Sequence, residues 1–560
     1  MKIERGSEKR FFVLFLAITA IALAIRLAAA AKLPANAYES TILLRLMQNP
    51  QYATQPVSII EMILIRSAFF FFGPSAFVAR IGSVLAGTAL VLVPFYLREK
   101  IGQRLAVIFG LLVTFEPFLL ANAVQVGSNI FTILAVLTFL SATWRRDQKL
   151  SLAAFTLLIF SGRGLFAAGL ILIVSYVLNQ RLAWSIFPAI SSVKEVLQQV
   201  GRQTRTIILF FFAAFFLLLI IMQIDLSDLA APSLALFERP DSEYNQRLSN
   251  FAMPIIMLSY SPVIVFFFGA FACQKNSDQK KNQLALVTLL LVLFTLILFL
   301  PGKNGTDLVW VTLPLLIGAA LFLDNVVLHV EHSFRDPLVL AILMVVLISM
   351  LISFTQLIYQ GWYGLSQVNA LINLSTMAFM LIFGYLAFLF FGDGMRYLKV
   401  LGLAIAILLM CIQLSFSFRA AGITRDTTAE LLWTGSIADS QTLQSIVNSR
   451  VISRKFTDDR VQIAIENHLS PQLNWIMRDI DVVSIPKNTT GPLAVDLIIT
   501  EVEPLQISGA FVGQTFAANS YPKWIDQPMR SIFDYDYWSW LIFRISNKTI
   551  TTNTIWYAMD

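Results

Sequence analysis

The sequence predicts a polytopic α-helical membrane protein with about 13 spans and a small extracytoplasmic α/β domain at its C-terminal end. Three observations lead there. Of the 560 residues, 57% are hydrophobic and only 13% charged, where a soluble globular protein carries about 25% charged residues. Apolar runs near 20 residues recur through the first 418, the length that crosses a bilayer core of roughly 30 Å. Beyond residue 419 the apolar runs shorten to strand length and alternate with a helical segment.

The spans follow in order. A basic start, "MKIERGSEKR", precedes an apolar run over 11–31. That run is long for a signal peptide and reads as an uncleaved first helix. Further spans are expected over 77–98, 104–121, 127–144, 150–161, 164–180, 206–223, 252–272, 283–300, 306–323, 337–359, 368–391 and 397–418. The fifth is short and breaks at "SGRG" (161–164), which leaves a re-entrant hairpin open there. Arg26 lies inside the first span, a depth at which a charge needs a partner.

Orientation follows from counting basic residues. With the N-terminus in the cytoplasm, that side collects about 20 Lys plus Arg and the opposite short loops about eight, a positive-inside bias. Thirteen spans then put 419–560 outside, with 1–418 as the transmembrane domain. Two outer loops are long, 32–76 and 224–251. The first contains "NAYES" (36–40) and "VSIIEMILIRSAFFFFG" (57–73), whose apolar spacing interrupted by Glu61 and Arg66 reads as a helix lying along the interface. In the C-terminal region, 459–466, 481–485 and 494–502 read as strands. Residues 470–480 read as a helix with Ser470 as N-cap and Pro471 at its first position. The tail 531–544 is dense in aromatics.

Several function classes are excluded or disfavoured. The net charge of +7 is explained by cytoplasmic loops, so no nucleic acid partner is expected. Two cysteines, Cys273 and Cys411, and three histidines, His329, His332 and His468, give neither a disulfide framework nor a metal-ligand spacing. Asp225, Asp228, Glu238 and Asp241 share the second outer loop without the spacing of a calcium loop. There is no Walker motif, and no internal repeat of the kind common in transporters.

The organisation resembles the GT-C class of integral-membrane glycosyltransferases, which includes the aminoarabinose transferases of lipid A and the dolichyl-phosphate-mannose protein mannosyltransferases. The resemblance is spread over most of the chain. It rests on the first outer loop with Tyr38-Glu39 in place of an acidic pair, on "QPVSI" (55–59), and on "FGPSAFVARIGSVLAG" (72–87) with Arg80 in the family's Arg position. It continues through the helix ending in Glu116-Pro117, "LVWVTLPLLIGAALFL" (308–323) with Pro314, and the C-terminal "NWIMRDIDVV" (474–483). Where the family has its first acid, commonly the base, this chain has Tyr38. Where the family has an Arg and an Asp after the helix ending in Pro, "NAVQVGSNI" (122–130) offers Gln125, Ser128 and Asn129.

The resemblance implies transfer of a sugar from a polyprenyl-phosphate-linked donor to an acceptor at the extracytoplasmic face of the plasma membrane. The expected partners are membrane lipid, the lipid-linked sugar and an acceptor the sequence does not identify; no cofactor is expected beyond the donor. Such an inverting displacement needs a carboxylate to take the acceptor's proton and cations to hold the departing phosphate. Glu39 is the base candidate and Glu61 its rival. Arg163, in "SGRG", and Lys303, in "PGKNGTD", are the phosphate candidates. Arg80 is either a third or the structural partner of Glu39 or Glu61. Two other readings stay open: a relative that binds lipid-linked sugar or assists a partner without transfer, and a flippase for lipid-linked glycans.

Overall fold

The computed structural model describes residues 2–47, 58–162, 164–182, 252–274, 280–300, 305–331 and 394–420, and, towards the C-terminus, 445–449, 462–466, 471–478, 480–485, 495–500, 511–522 and 548–558, with isolated positions between them. Helices occupy the expected spans wherever those residues are described. They are α1 (Lys2–Lys32), α4 (Ala76–Ile101), α5 (Gln103–Thr114), α6 (Pro117–Ala123), α7 (Ile130–Arg145), α8 (Gln148–Phe160), α9 (Leu165–Leu182), α10 (Ala252–Tyr260), α11 (Pro262–Ala272), α12 (Lys280–Phe299), α13 (Val309–Glu331) and α14 (Gly394–Ala420). Between α1 and α4 come α2 (Ala37–Leu46) and α3 (Ile59–Phe72). The expected spans over 206–223, 337–359 and 368–391, the second outer loop and the aromatic tail lie outside the described residues, apart from isolated positions.

Among the described residues, four helices are long and apolar enough to cross a membrane, or six if each bent pair is one span. The bent pairs correct two expected straight spans. α5 and α6 meet at 64°, and α10 and α11 at 96°. The cause is proline: Pro117 and Pro262 sit at the first positions of α6 and α11, where a missing N–H costs nothing but the previous helix cannot continue. The two breaks are fastened to each other. Glu116 caps α6 through the N–H of Leu119 at 2.5 Å, and its other oxygen accepts from Ser261 Oγ at 2.7 Å. Gln413 and Ser417 of α14 donate to the carbonyl of Phe115 at the same break. The short 150–161 span ends at Phe160 and is followed by a turn into α9.

α4 is the hub of the helical region, packing against α1, α3, α5, α6 and α7. Its approach to α6 is close enough to require glycine: a Cβ on Gly87 would lie 2.3 Å from Ala123 Cβ. Small residues at such crossings let backbones come together where dispersion, not the hydrophobic effect, holds helices in lipid. Arg26, buried in α1, donates to the carbonyls of Ala22 and Val113.

The C-terminal region forms a five-stranded sheet from β1 (Gln462–Glu466), β2 (Asp481–Ile485), β3 (Leu497–Thr500), β4 (Phe511–Pro522) and β5 (Lys548–Ala558), in the order β2-β1-β3-β5-β4. β1 pairs in parallel with β2 and β3, while β5 runs antiparallel to β3 and β4. A short helix, α15 (Pro471–Ile476), connects β1 to β2 and buries Leu473 against Ile463, Ile465 and Ile499. The three expected strands are present with shorter bounds, and the expected 470–480 helix is likewise shorter; β4 and β5 are additions.

Candidate functional site

The stretch "NAYES" folds as a helix start. Asn36 caps α2: its Oδ1 accepts from Glu39 N at 2.8 Å, and Glu39 Oε2 accepts from Asn36 N at 3.2 Å, a complete capping box. The same logic recurs at α3. Ser58 Oγ accepts from Glu61 N at 3.3 Å and donates to Glu61 Oε2 at 2.9 Å. Each acid is therefore fixed first by its own helix.

Each then reaches the same remote loop, the one joining α6 to α7. Glu39 Oε1 accepts from Val126 N and Glu61 Oε1 from Gly127 N, both at 2.9 Å. Glu39 also holds Arg80: Nε lies 3.0 Å from Oε1 and Nη2 lies 2.5 Å from Oε2. Arg80 gives its remaining N–H groups to the carbonyls of Ala30, Leu33 and Pro34. All five guanidinium donors and all four carboxylate lone-pair sites are thus engaged. All three side chains are buried.

Gly127 makes this seam possible. Its φ is +73°, and a Cβ there would lie 2.5 Å from Ile42 Cδ1 and 2.6 Å from Tyr38 Cε1. Tyr38 thus packs on the glycine beside the carboxylates.

The charges are arranged unequally. Glu39 faces a guanidinium, whereas the hydrogen bonds to Glu61 come from neutral groups among the described residues, Ser58, Gly127 and Ser128. Burial lifts the Glu61 carboxyl to about 7; hydrogen bonds from Ser58, Gly127 and Ser128 pull it back, and the nearby charge of Glu39 adds to the rise.

A second polar group adjoins the same loop. Asn129 Nδ2 donates to Asp307 at 2.7 Å, and Asn129 N donates to Asn122 Oδ1 at 3.1 Å. Asn122 Nδ2 donates to the carbonyl of Thr306 at 2.9 Å. Gly164 is close by: a Cβ on it would meet Asn129 Oδ1 at 3.0 Å and Trp310 at 2.4 Å. Arg163 and Lys303 themselves lie outside the described residues. Asp307 stands in the same "PGKNGTD" stretch as Lys303, and nothing in its spacing marks it in the sequence.

The C-terminal region docks beside this joint. Trp475 of α15 is buried with Ile42, Leu43 and Ile65 of α2 and α3. Gln472 donates to the carbonyl of Ala35 at 2.5 Å, and Arg478 stacks over Trp475 and donates to the carbonyl of Pro74. Among the described residues there is no cluster of three or more His, Cys, Asp or Glu side chains suited to a metal ion.

No protein-family description matches this chain, and no curated protein does. Among solved structures it is similar to ArnT from Cupriavidus metallidurans in the apo state, with a TM-score of 0.48, 14% identity and 87% of each chain covered. It is also similar to the same protein bound to undecaprenyl phosphate, with a TM-score of 0.47, 13% identity and 97% of each chain covered.

Proposed function

We propose that this chain is a glycosyltransferase of the GT-C kind, moving a sugar from a polyprenyl-phosphate-linked donor to an acceptor at the extracytoplasmic membrane face. One observation carries the reading. The two segments where the sequence resemblance puts the family's acids, 38–39 and 122–130, are far apart in the chain and are joined by the Glu39–Val126 hydrogen bond, and Glu61 of α3 reaches the same loop at Gly127. The "SGRG" and "PGKNGTD" stretches adjoin the same loop through Gly164 and Asp307. This nearness of the four stretches to one loop supports the reading.

In this reading Glu39 and Arg80 are the frame, and Glu61 takes the proton. A base with all four lone-pair sites occupied must break a bond before it accepts a proton. Glu61 accepts three hydrogen bonds and is poised near neutral pH, which suits general-base work. The acceptor hydroxyl would lose its proton to Glu61, its oxygen would bond to the anomeric carbon, and the bond to phosphate would break with its electron pair leaving on polyprenyl phosphate. Arg163 and Lys303 are proposed to receive that phosphate. A second reading, binding without transfer, is favoured by the saturation of the Glu39–Arg80 pair. It keeps the same lipid-linked ligand.

The test is photo-crosslinking. A photoactivatable undecaprenyl phosphate analogue is bound to the purified full-length protein and the labelled peptides are mapped. Label within 122–130, 161–165 or 301–308, competed by unlabelled undecaprenyl phosphate, supports the site. Label confined to other spans removes it.

A further inference from the structure

An apolar cavity lies away from the polar joint, towards the other end of α4. A cavity of about 110 Å³ runs between α4, α5, α7 and α13. Along α4 it follows Leu90 to Ile101, which at 1.5 Å per residue is roughly 16 Å. Its walls are aliphatic and aromatic, with Ser141 the polar exception. Dry cavities of about this size, near 150 Å³ in one engineered case, take up benzene, so the space suits a segment of hydrocarbon chain.

One end of the slot is marked by Ile101, Leu105 and Trp144, and basic residues adjoin each of them in sequence. Lys100, Arg146 and Lys149 are exposed there. Phe11 stacks on Phe95 at 5.7 Å, which brings the exposed Lys9 and Arg10 of α1 to the same end. The nearby acids are fewer, and apart from the exposed Glu8 they are committed. Glu99 pairs with Arg145, Asp324 with Arg104, and Asp147 caps α8 while accepting from Tyr96. A surplus of positive charge is left at the mouth of an apolar slot.

We infer that this slot holds a segment of one acyl chain of an anionic diacyl phospholipid, with its phosphate at the Lys100–Arg146 end. Basic pockets between membrane helices recruit anionic headgroups in this way. The occupant is taken as a phospholipid, and not the polyprenyl donor, because the slot is short and its basic end adjoins the α4–α5 and α7–α8 turns, whereas Arg80 and the polar joint lie near the opposite end of α4.

The experiment uses the full-length protein in nanodiscs with phosphatidylglycerol or phosphatidylcholine brominated along one acyl chain, and reads tryptophan quenching. Brominated phosphatidylglycerol is expected to quench the wild type more than Trp144→Phe, with little such difference for brominated phosphatidylcholine. Lys100→Gln and Arg146→Gln should each weaken the phosphatidylglycerol effect by about fivefold. Ala320→Phe, which fills the slot, should abolish the Trp144 component. The mild Trp144→Phe comparison keeps the inference testable if that larger residue disturbs folding. Equal quenching by the two lipids, or a Trp144→Phe signal matching the wild type, overturns it. So does displacement of the quencher by undecaprenyl phosphate but not by unbrominated phosphatidylglycerol.

Discussion

Arg80 and Glu39 form a buried bidentate pair, with Nε 3.0 Å from Oε1 and Nη2 2.5 Å from Oε2. The pair ties three elements together: the end of α1 and the residues after it, the first turn of α2, and the α6–α7 loop through Val126. Arg80→Ala leaves a buried carboxylate with no counter-charge, and such a break costs about 3–5 kcal/mol. Arg80→Lys should recover little of it, because an ammonium cannot reproduce the planar fork. Thermal unfolding of the purified variants in one detergent checks both.

Gly127→Ala should be destabilising at a position where alanine is normally harmless. The backbone has φ +73° and the added methyl meets Ile42 and Tyr38. Strain and overpacking together amount to about 2–5 kcal/mol. Adding Tyr38→Ala removes one of the two collisions, so the double variant should melt above Gly127→Ala. Equal melting would mean that the backbone angle and the Ile42 contact set the cost without Tyr38.

Stability should depend on pH through Glu61. Its carboxyl lies at about 7 in the fold against an ordinary value of 4.5, so between those values the folded state binds the proton that the unfolded chain has released. The stabilisation is full below pH 4.5 and is lost as pH rises through 7, a change on the order of 3 kcal/mol. Glu61→Gln, neutral at every pH, should remove the Glu61 share and make that slope shallower. Melting temperatures from pH 4.5 to 8 test this, and a slope unchanged in Glu61→Gln would assign it to another group.

Trp475→Ala should loosen the C-terminal region from α2 and α3. Trp475 is 5% exposed, in a cluster with Ile42 and Ile65. A truncation of this size in a packed site costs about 3–5 kcal/mol, here taken from a docking contact. Limited proteolysis should cut the variant between 421 and 470 faster than the wild type, with the helical region intact. Equal cutting rates would show that Gln472 and Arg478 hold the contact without it.

Much of this architecture is legible in the sequence. Among the described residues, helix positions follow from apolar length, and the strand segments around Ile463, Val483 and Ile498 from their runs of aliphatic residues. Asn36-x-x-Glu39 and Ser58-x-x-Glu61 are capping-box patterns, so the local job of each acid can be read directly. Their second job cannot, because Glu39 and Val126 are 87 residues apart and the acceptor's partner is a backbone N–H that every residue but proline carries. A still longer separation, 178 residues, hides Asn129–Asp307. The bends at Pro117 and Pro262 are visible as prolines within apolar runs, whereas their angles depend on packing. β5 is rich in threonine and isoleucine and has strand composition, but the aromatic stretch before it dominates a reading by composition.

The most direct test of the account is turnover. Undecaprenyl phosphate carrying radiolabelled glucose, mannose or N-acetylglucosamine is given to the purified full-length protein with membrane lipid extract as acceptor source. Wild type, Glu61→Gln and Glu39→Gln are compared. The account predicts release of undecaprenyl phosphate by the wild type, a loss of about 10²–10⁴-fold in Glu61→Gln with donor binding retained, and a lowered melting temperature in Glu39→Gln. Donor binding with no release by the wild type, or release that Glu61→Gln leaves unchanged, contradicts it.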